Sequence, residues 1–126
     1  MPYSITYDPD AGYCTIVVSW IYDAALAKQI RDAALEMIVK HGCYHFLVDC
    51  RASTLSASKL TLFSFAEDIL KRSSTEGIAA FKIKRAFVIQ GDEKDYAFYE
   101  TVSVNRGLNV QIFQNVDAAT RWLTEK

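Results

Sequence analysis

Two runs of consecutive apolar residues set most of the limits on what this chain can fold into. Phe46, Leu47 and Val48 follow Gly42 and close on Asp49; Ala86, Phe87, Val88 and Ile89 lead into Gly91. An apolar run without alternation belongs to a strand covered on both faces, and such strands sit in the interior of parallel sheets with helices on them. The two runs are therefore expected to be neighbouring interior parallel strands.

The segments around them supply the rest of an α/β domain. Tyr3, Ile5 and Tyr7 alternate with Ser4 and Thr6, and the turn Asp8-Pro9-Asp10-Ala11-Gly12 leads into a second strand from Tyr13 to Trp20, an opening hairpin. Asp23 can cap a helix with Leu26, Ile30, Ala34, Met37 and Ile38 at helical spacing, ended by His41 and Gly42. A helix opening near Asp95 places Phe98, Tyr99 and Val102 on one stripe and stops at Gly107. Asn109 to Gln114 reads as the last strand, and Asn115 caps a final helix that turns Ala118, Ala119, Trp122 and Leu123 inward. The order β-β-α-β-α-β-α-β-α gives a mixed sheet with a leading antiparallel hairpin.

Length and charge narrow the function. A chain of 126 residues suits one domain, 1–126, stable without disulfides or metal. Net charge is −1, with lysines and arginines scattered rather than striped, so the basic footprint of a nucleic-acid binder is missing. Cys14, Cys43 and Cys50 are odd in number and form no Cys-x-x-Cys pair, which fits reduced core thiols in a cytoplasmic protein, with one disulfide pairing left open. No apolar stretch approaches the roughly twenty residues of a membrane span.

The stretch Tyr44–Leu60 concentrates the functional signal. There an apolar strand runs into a polar turn, Arg51 to Ser58, and then into a helix capped by Ser56 or Ser58. Open α/β sheets meet ligands at the carboxyl ends of their strands, and right-handed crossovers bring the turns after Val48 and after Ile89 to the same edge. Asp49, Arg51, Ser53, Ser56, Ser58 and Asp92 are therefore the expected polar surface. Arg51 pairs there either with Asp49 or Asp92, or with a partner's carboxylate or phosphate. The following helix carries a wide apolar arc of roughly 160° at about 100° per residue. Either the whole arc packs inward, or Phe63 and Phe65 at its margins form a dimer contact or the wall of an apolar ligand pocket.

Catalytic and metal chemistry find little footing. His41, Cys43 and His45 are closely spaced, but no second ligand cluster accompanies them, and the dipole at a helix C-terminus accounts for His41. Ser53 or Ser56 with Asp49 or Asp92 lacks a histidine at the same sheet edge, and no nucleophile elbow, phosphate-binding glycine loop or dinucleotide fingerprint occurs. No enzyme activity, cofactor or metal is expected.

The element order, the LVDCR strand end, the serine-rich turn, RAFVIQGD and the closing VQIFQNVDAATRWL resemble the SpoIIAA-like, or STAS, domains over essentially the whole chain. That resemblance implies an α/β fold with a mixed five-stranded sheet, an N-terminal β-hairpin and about four helices. It also implies a non-catalytic protein-binding regulatory module of the bacterial anti-sigma-factor-antagonist type, in which a partner kinase phosphorylates the serine matching Ser58. The family's Asp-Ser-Ser-Gly turn falls on Ser56, Ala57, Ser58 and Lys59, without its acidic residue and glycine. The wider superfamily includes lipid-carrying relatives of the CRAL-TRIO type, so the alternative is a carrier or sensor of a small apolar ligand or lipid. The expected partners are another protein, a small apolar ligand or a second copy in a homodimer.

Overall fold

A computed structural model describes residues 2–91 and 94–125. The expected site residue Asp92 thus lies outside the described residues. The hairpin forms from β1 (Tyr3–Asp8) and β2 (Tyr13–Tyr22), and α1 (Ala24–His41) leads to β3 (His45–Leu55). Then come α2 (Lys59–Thr75), a 3-10 turn at Ala80–Lys82, β4 (Lys84–Val88), α3 (Lys94–Asn105), β5 (Asn109–Phe113) and α4 (Val116–Thr124). The five strands lie in sequence order β1-β2-β3-β4-β5, with β1 antiparallel to β2 and every later pair parallel. The two apolar runs are thus adjacent and interior, as their lack of alternation requires.

Polar side chains start and stop the helices. Asp23, Ser58 and Asn115 each accept a hydrogen bond from the backbone N–H three residues on, satisfying a donor that the first helical turn cannot. At the other end of α1, Gly42 adopts φ 65° and donates its N–H to the Ile38 carbonyl, a left-handed closure that a side chain would strain.

Because three successive parallel crossovers step across the sheet in one direction, a common hand puts α1, α2 and α3 on one face. Cys14, Ile16, Val18, Phe46, Val48 and Phe87 meet these helices in the larger core. The opposite face carries only α4, whose Ala119 and Leu123 pack on Leu47, Ala86 and Val88. Leu62 and Ile69 on the apolar arc of α2 are buried, as is Leu123, whereas Phe98, Val102 and Trp122, expected inside, are half-buried. Trp122 instead packs at a tilt against Phe113 and lies 4.5 Å under the Lys84 ammonium, which donates to its carbonyl at 2.8 Å. On α3 the inward stripe is Tyr96, Tyr99 and Ser103, so the helix is rotated from the expected Phe98–Tyr99–Val102 face. At the sheet's β5 edge, the Ile112 N–H is taken by the Glu100 carboxylate at 2.7 Å.

The third strand departs from expectation. The residues read as a polar turn from Arg51 continue as strand to Leu55, because β2 also runs on and Ser19–Tyr22 pairs with Ala52–Leu55. The register steps from Val17 opposite Asp49 to Ser19 opposite Ala52, so Cys50 and Arg51 of β3 face Val18 alone, which is a β-bulge. The bulge shifts the alternation: Phe46, Val48 and Cys50 are buried, then Ser53 and Leu55 turn inward while Ala52 and Thr54 are exposed. Since β1 begins opposite Val18 and β4 ends opposite Asp49, this two-stranded ribbon overhangs the sheet.

Leu123 is fully buried and, with Ala119, anchors α4, the one helix on its face among the described residues. Leu123→Ala should cost about 2–5 kcal/mol in chemical denaturation, as large-to-small core changes do; a loss under about 1 kcal/mol would show that α4 is not held by this contact.

Candidate ligand-binding site

The overhanging ribbon and the three helices on the larger face enclose a cavity of about 60 Å³. Ile16, Phe46, Val48 and Phe87 form its floor on the sheet. Tyr22 and Leu55 reach it from the ribbon, Ile30 and Ala34 from α1, Leu62, Phe65 and Ile69 from α2, and Tyr96 and Tyr99 from α3. Its wall is mainly apolar, whereas Lys28, Arg31 and Asp68 stand at the seam between α1 and α2. That seam is drawn together by ion pairs, Arg31 to Asp68 at 3.6 Å and Arg72 to Asp32 at 3.7 Å. All four side chains are partly exposed, so these pairs hold weakly and leave the helices separable.

One charged residue belongs to the interior of this site. Arg85 pairs with Phe46 across the β3–β4 ladder and therefore faces the same side of the sheet. Its Nη1 donates to the Tyr99 hydroxyl at 2.8 Å, and its guanidinium carbon lies 5.4 Å from the Tyr99 ring centre and 5.7 Å from that of Phe87. Tyr99 is in turn edge-on to Phe65 and Phe87. Burial raises the pKa of both Tyr22 and Tyr96 well above the ordinary phenol range, so their hydroxyls stay protonated. The Tyr96 hydroxyl is buried beside the Cys50 thiol and the Ser53 hydroxyl. Sequence reasoning missed Arg85, whereas Tyr22, Tyr96 and Tyr99 read from sequence as core or pocket walls. The available signal was phase: Arg85, Phe87 and Ile89 alternate, so an arginine occupies an inward position of a buried strand.

The residues expected from sequence fall into separate places. Asp49 and Arg51 form a two-pronged pair on the strand, Nε to Oδ1 at 2.9 Å and Nη2 to Oδ2 at 2.8 Å. Ser53 turns inward after the bulge and donates to the Cys50 carbonyl at 2.9 Å. Ser56 closes the ribbon by donating its N–H to the Tyr22 carbonyl, and the exposed Ser58 hydroxyl caps α2 and lies 2.9 Å from that of Thr61. Phe65 walls the cavity. Phe63, 38% exposed, lies on the outer side of α2 beneath the Arg106 guanidinium at 4.1 Å, itself paired with Glu67 at 2.7 Å.

The histidines and cysteines are held by local contacts. His41 stacks on Tyr7 at 4.5 Å between ring centres, and the Cys14 and Cys43 sulfurs are 3.3 Å apart. Burial, helped by the Cys43 contact, pushes the Cys14 thiol up to about 12, so it is a protonated, unreactive thiol. Among the described residues no three His, Cys, Asp or Glu side chains gather closely enough to hold a metal ion, and no helix is long and apolar enough to cross a membrane.

This architecture is the SpoIIAA-like fold. The structure is similar to that of an uncharacterized protein of the DUF3478 family with a SpoIIAA-like fold from Shewanella loihica PV-4, with a TM-score of 0.58 and 18% sequence identity over 96% of this chain and 91% of that one. No family model and no curated protein matches the sequence.

The hydrogen bonds from Arg51 hold the Asp49 carboxyl below its ordinary range against the opposing effect of burial. A depressed carboxyl contributes stability that is complete above its unfolded value and is lost as pH falls through the folded one. Wild type and Asp49→Asn should therefore differ in urea midpoint at pH 7 and converge as pH drops below the Asp49 folded value; a difference independent of pH would show that the pair adds nothing through charge.

Proposed function

We propose that this protein is a non-catalytic binding module that takes a small, mainly apolar ligand into the cavity between the sheet and α1–α2. The observation that carries this reading is the overhanging ribbon. It extends two strands past the rest of the sheet, at the cost of unpaired edges, and the side chains it adds to the interior, Tyr22 and Leu55, line the cavity. A cavity of about 60 Å³ exceeds the ~30 Å³ share of one water, and its wall is mainly apolar. Longer ligands enter by parting the weakly paired seam. Binding of octan-1-ol, followed by NMR shifts of the full chain, should saturate in the wild type and fall at least tenfold in Ala34→Phe, whose ring fills the space. Non-saturating shifts, or equal binding by that variant, would refute the reading.

A second reading, a protein-binding regulatory module acting as a homodimer or on another protein, draws on a different observation. Trp20 has a left-handed backbone, φ 66°, and is 73% exposed beside exposed Ile21 on the ribbon, while Ser58 and Leu60 are exposed where α2 begins. A bulky residue held in that conformation and offered to solvent is favoured by a contact surface. Under this reading Trp20→Ser lowers the sedimenting mass from dimer to monomer; an unchanged mass in both proteins would count against it.

A further inference from the structure

Half-buried Arg85 lines the cavity as a cation without a counter-ion among the described residues. Among the described residues no carboxylate lies within ion-pair distance of Arg85, and its buried Nη2 has no hydrogen-bond partner. Its compensation comes from the Tyr99 hydroxyl and the faces of two aromatic rings. A guanidinium taken out of water is costly unless it is paired, and replacing such a group by an apolar one is often neutral or stabilising. This arginine also occupies an inward strand position where Phe87, two residues on, is apolar. A chain selected for stability alone has a simpler solution there.

We infer that Arg85 is the anion-recognition group of this cavity, and that the ligand is an amphipathic monocarboxylate: its carboxylate meets the Arg85 fork and its hydrocarbon chain lies along the apolar channel toward the α1–α2 seam. The inference rests on the cavity being the binding site proposed above. Three features select this chemistry. A planar carboxylate matches the planar fork of arginine, and Tyr99, by occupying Nη1, fixes its orientation with Nη2 unpaired. The enclosed volume of about 60 Å³ suits a headgroup of about three non-hydrogen atoms, given that a ~150 Å³ cavity takes benzene, so the chain must continue into the groove. At the mouth Arg31 is matched by Asp32 and Asp68, whereas Lys28 has no carboxylate within ion-pair distance among the described residues, which favours entry of a negative ligand. The protonated Tyr96 hydroxyl is a further donor in the same wall.

Calorimetric titration of the full chain with octanoate, octyl phosphate and octan-1-ol, with melting curves in parallel, tests this. The wild type should bind octanoate at least ten times more tightly than octan-1-ol, about the size of one charge-assisted hydrogen bond, and more tightly than octyl phosphate. Arg85→Met should lose the preference for octanoate, keep its affinity for octan-1-ol, and melt without ligand no lower than the wild type. Equal wild-type affinity for octanoate and octan-1-ol overturns the anion site while leaving the apolar cavity standing; failure of all three ligands to bind removes both. Tighter binding of octyl phosphate overturns the carboxylate assignment. A folded Arg85→Met that melts lower and binds octanoate as the wild type does makes the arginine structural. If Arg85→Met does not fold, Tyr99→Phe, which keeps the ring and frees the guanidinium, should weaken octanoate more than octan-1-ol, and equal effects on the two would refute the proposal.

Discussion

The pairing of β2 with β3 is the interaction on which the remaining architecture depends. It joins the antiparallel hairpin to the parallel part of the sheet, and among the described residues it is the ladder that continues beyond the common body of strands. A parallel ladder without the extra residue in β3 would keep its alternation, and Ser53 and Leu55 would point away from the helices. With the bulge, the same backbone turns them into the interior. One added residue thereby converts the end of a strand pair into the wall of a cavity.

The elements governed by strong local rules were legible in the sequence. Consecutive apolar residues located β3 and β4, and Asp23, Asn115, Gly42 and Gly107 fixed helix ends by side-chain or left-handed caps. Ser58 was one of two serines with the right chemistry, and only the exact start of α2 chooses between it and Ser56. The continuation of β3 was not legible. Arg51, Ala52 and Thr54 are solvent-facing, so the strand there carries no hydrophobic signal, and its partner on β2 fixes its state through backbone bonds that any sequence could make.

The candidate site was harder to read for a related reason. Residue type marks Arg85 as a surface residue and Tyr96 as ambiguous, and only the phase of β4 and the rotation of α3 turn them inward. Phe98 and Phe63 are more apolar than Tyr96 yet lie farther out, because a tyrosine ring can sit against the cavity with its hydroxyl among polar neighbours. The polar cluster expected at the strand ends is instead spread along the ribbon. Asp49 and Arg51 satisfy each other, and Ser58 is engaged in starting its own helix.

The bond from the Ile112 N–H to Glu100 bears on how chains of this kind can aggregate. An edge strand whose central donor is already occupied by a side chain offers a poor template for an incoming strand. Growth into a fibril needs open sides to the sheet, and on the β5 side the Glu100 carboxylate already holds one of the outward donors.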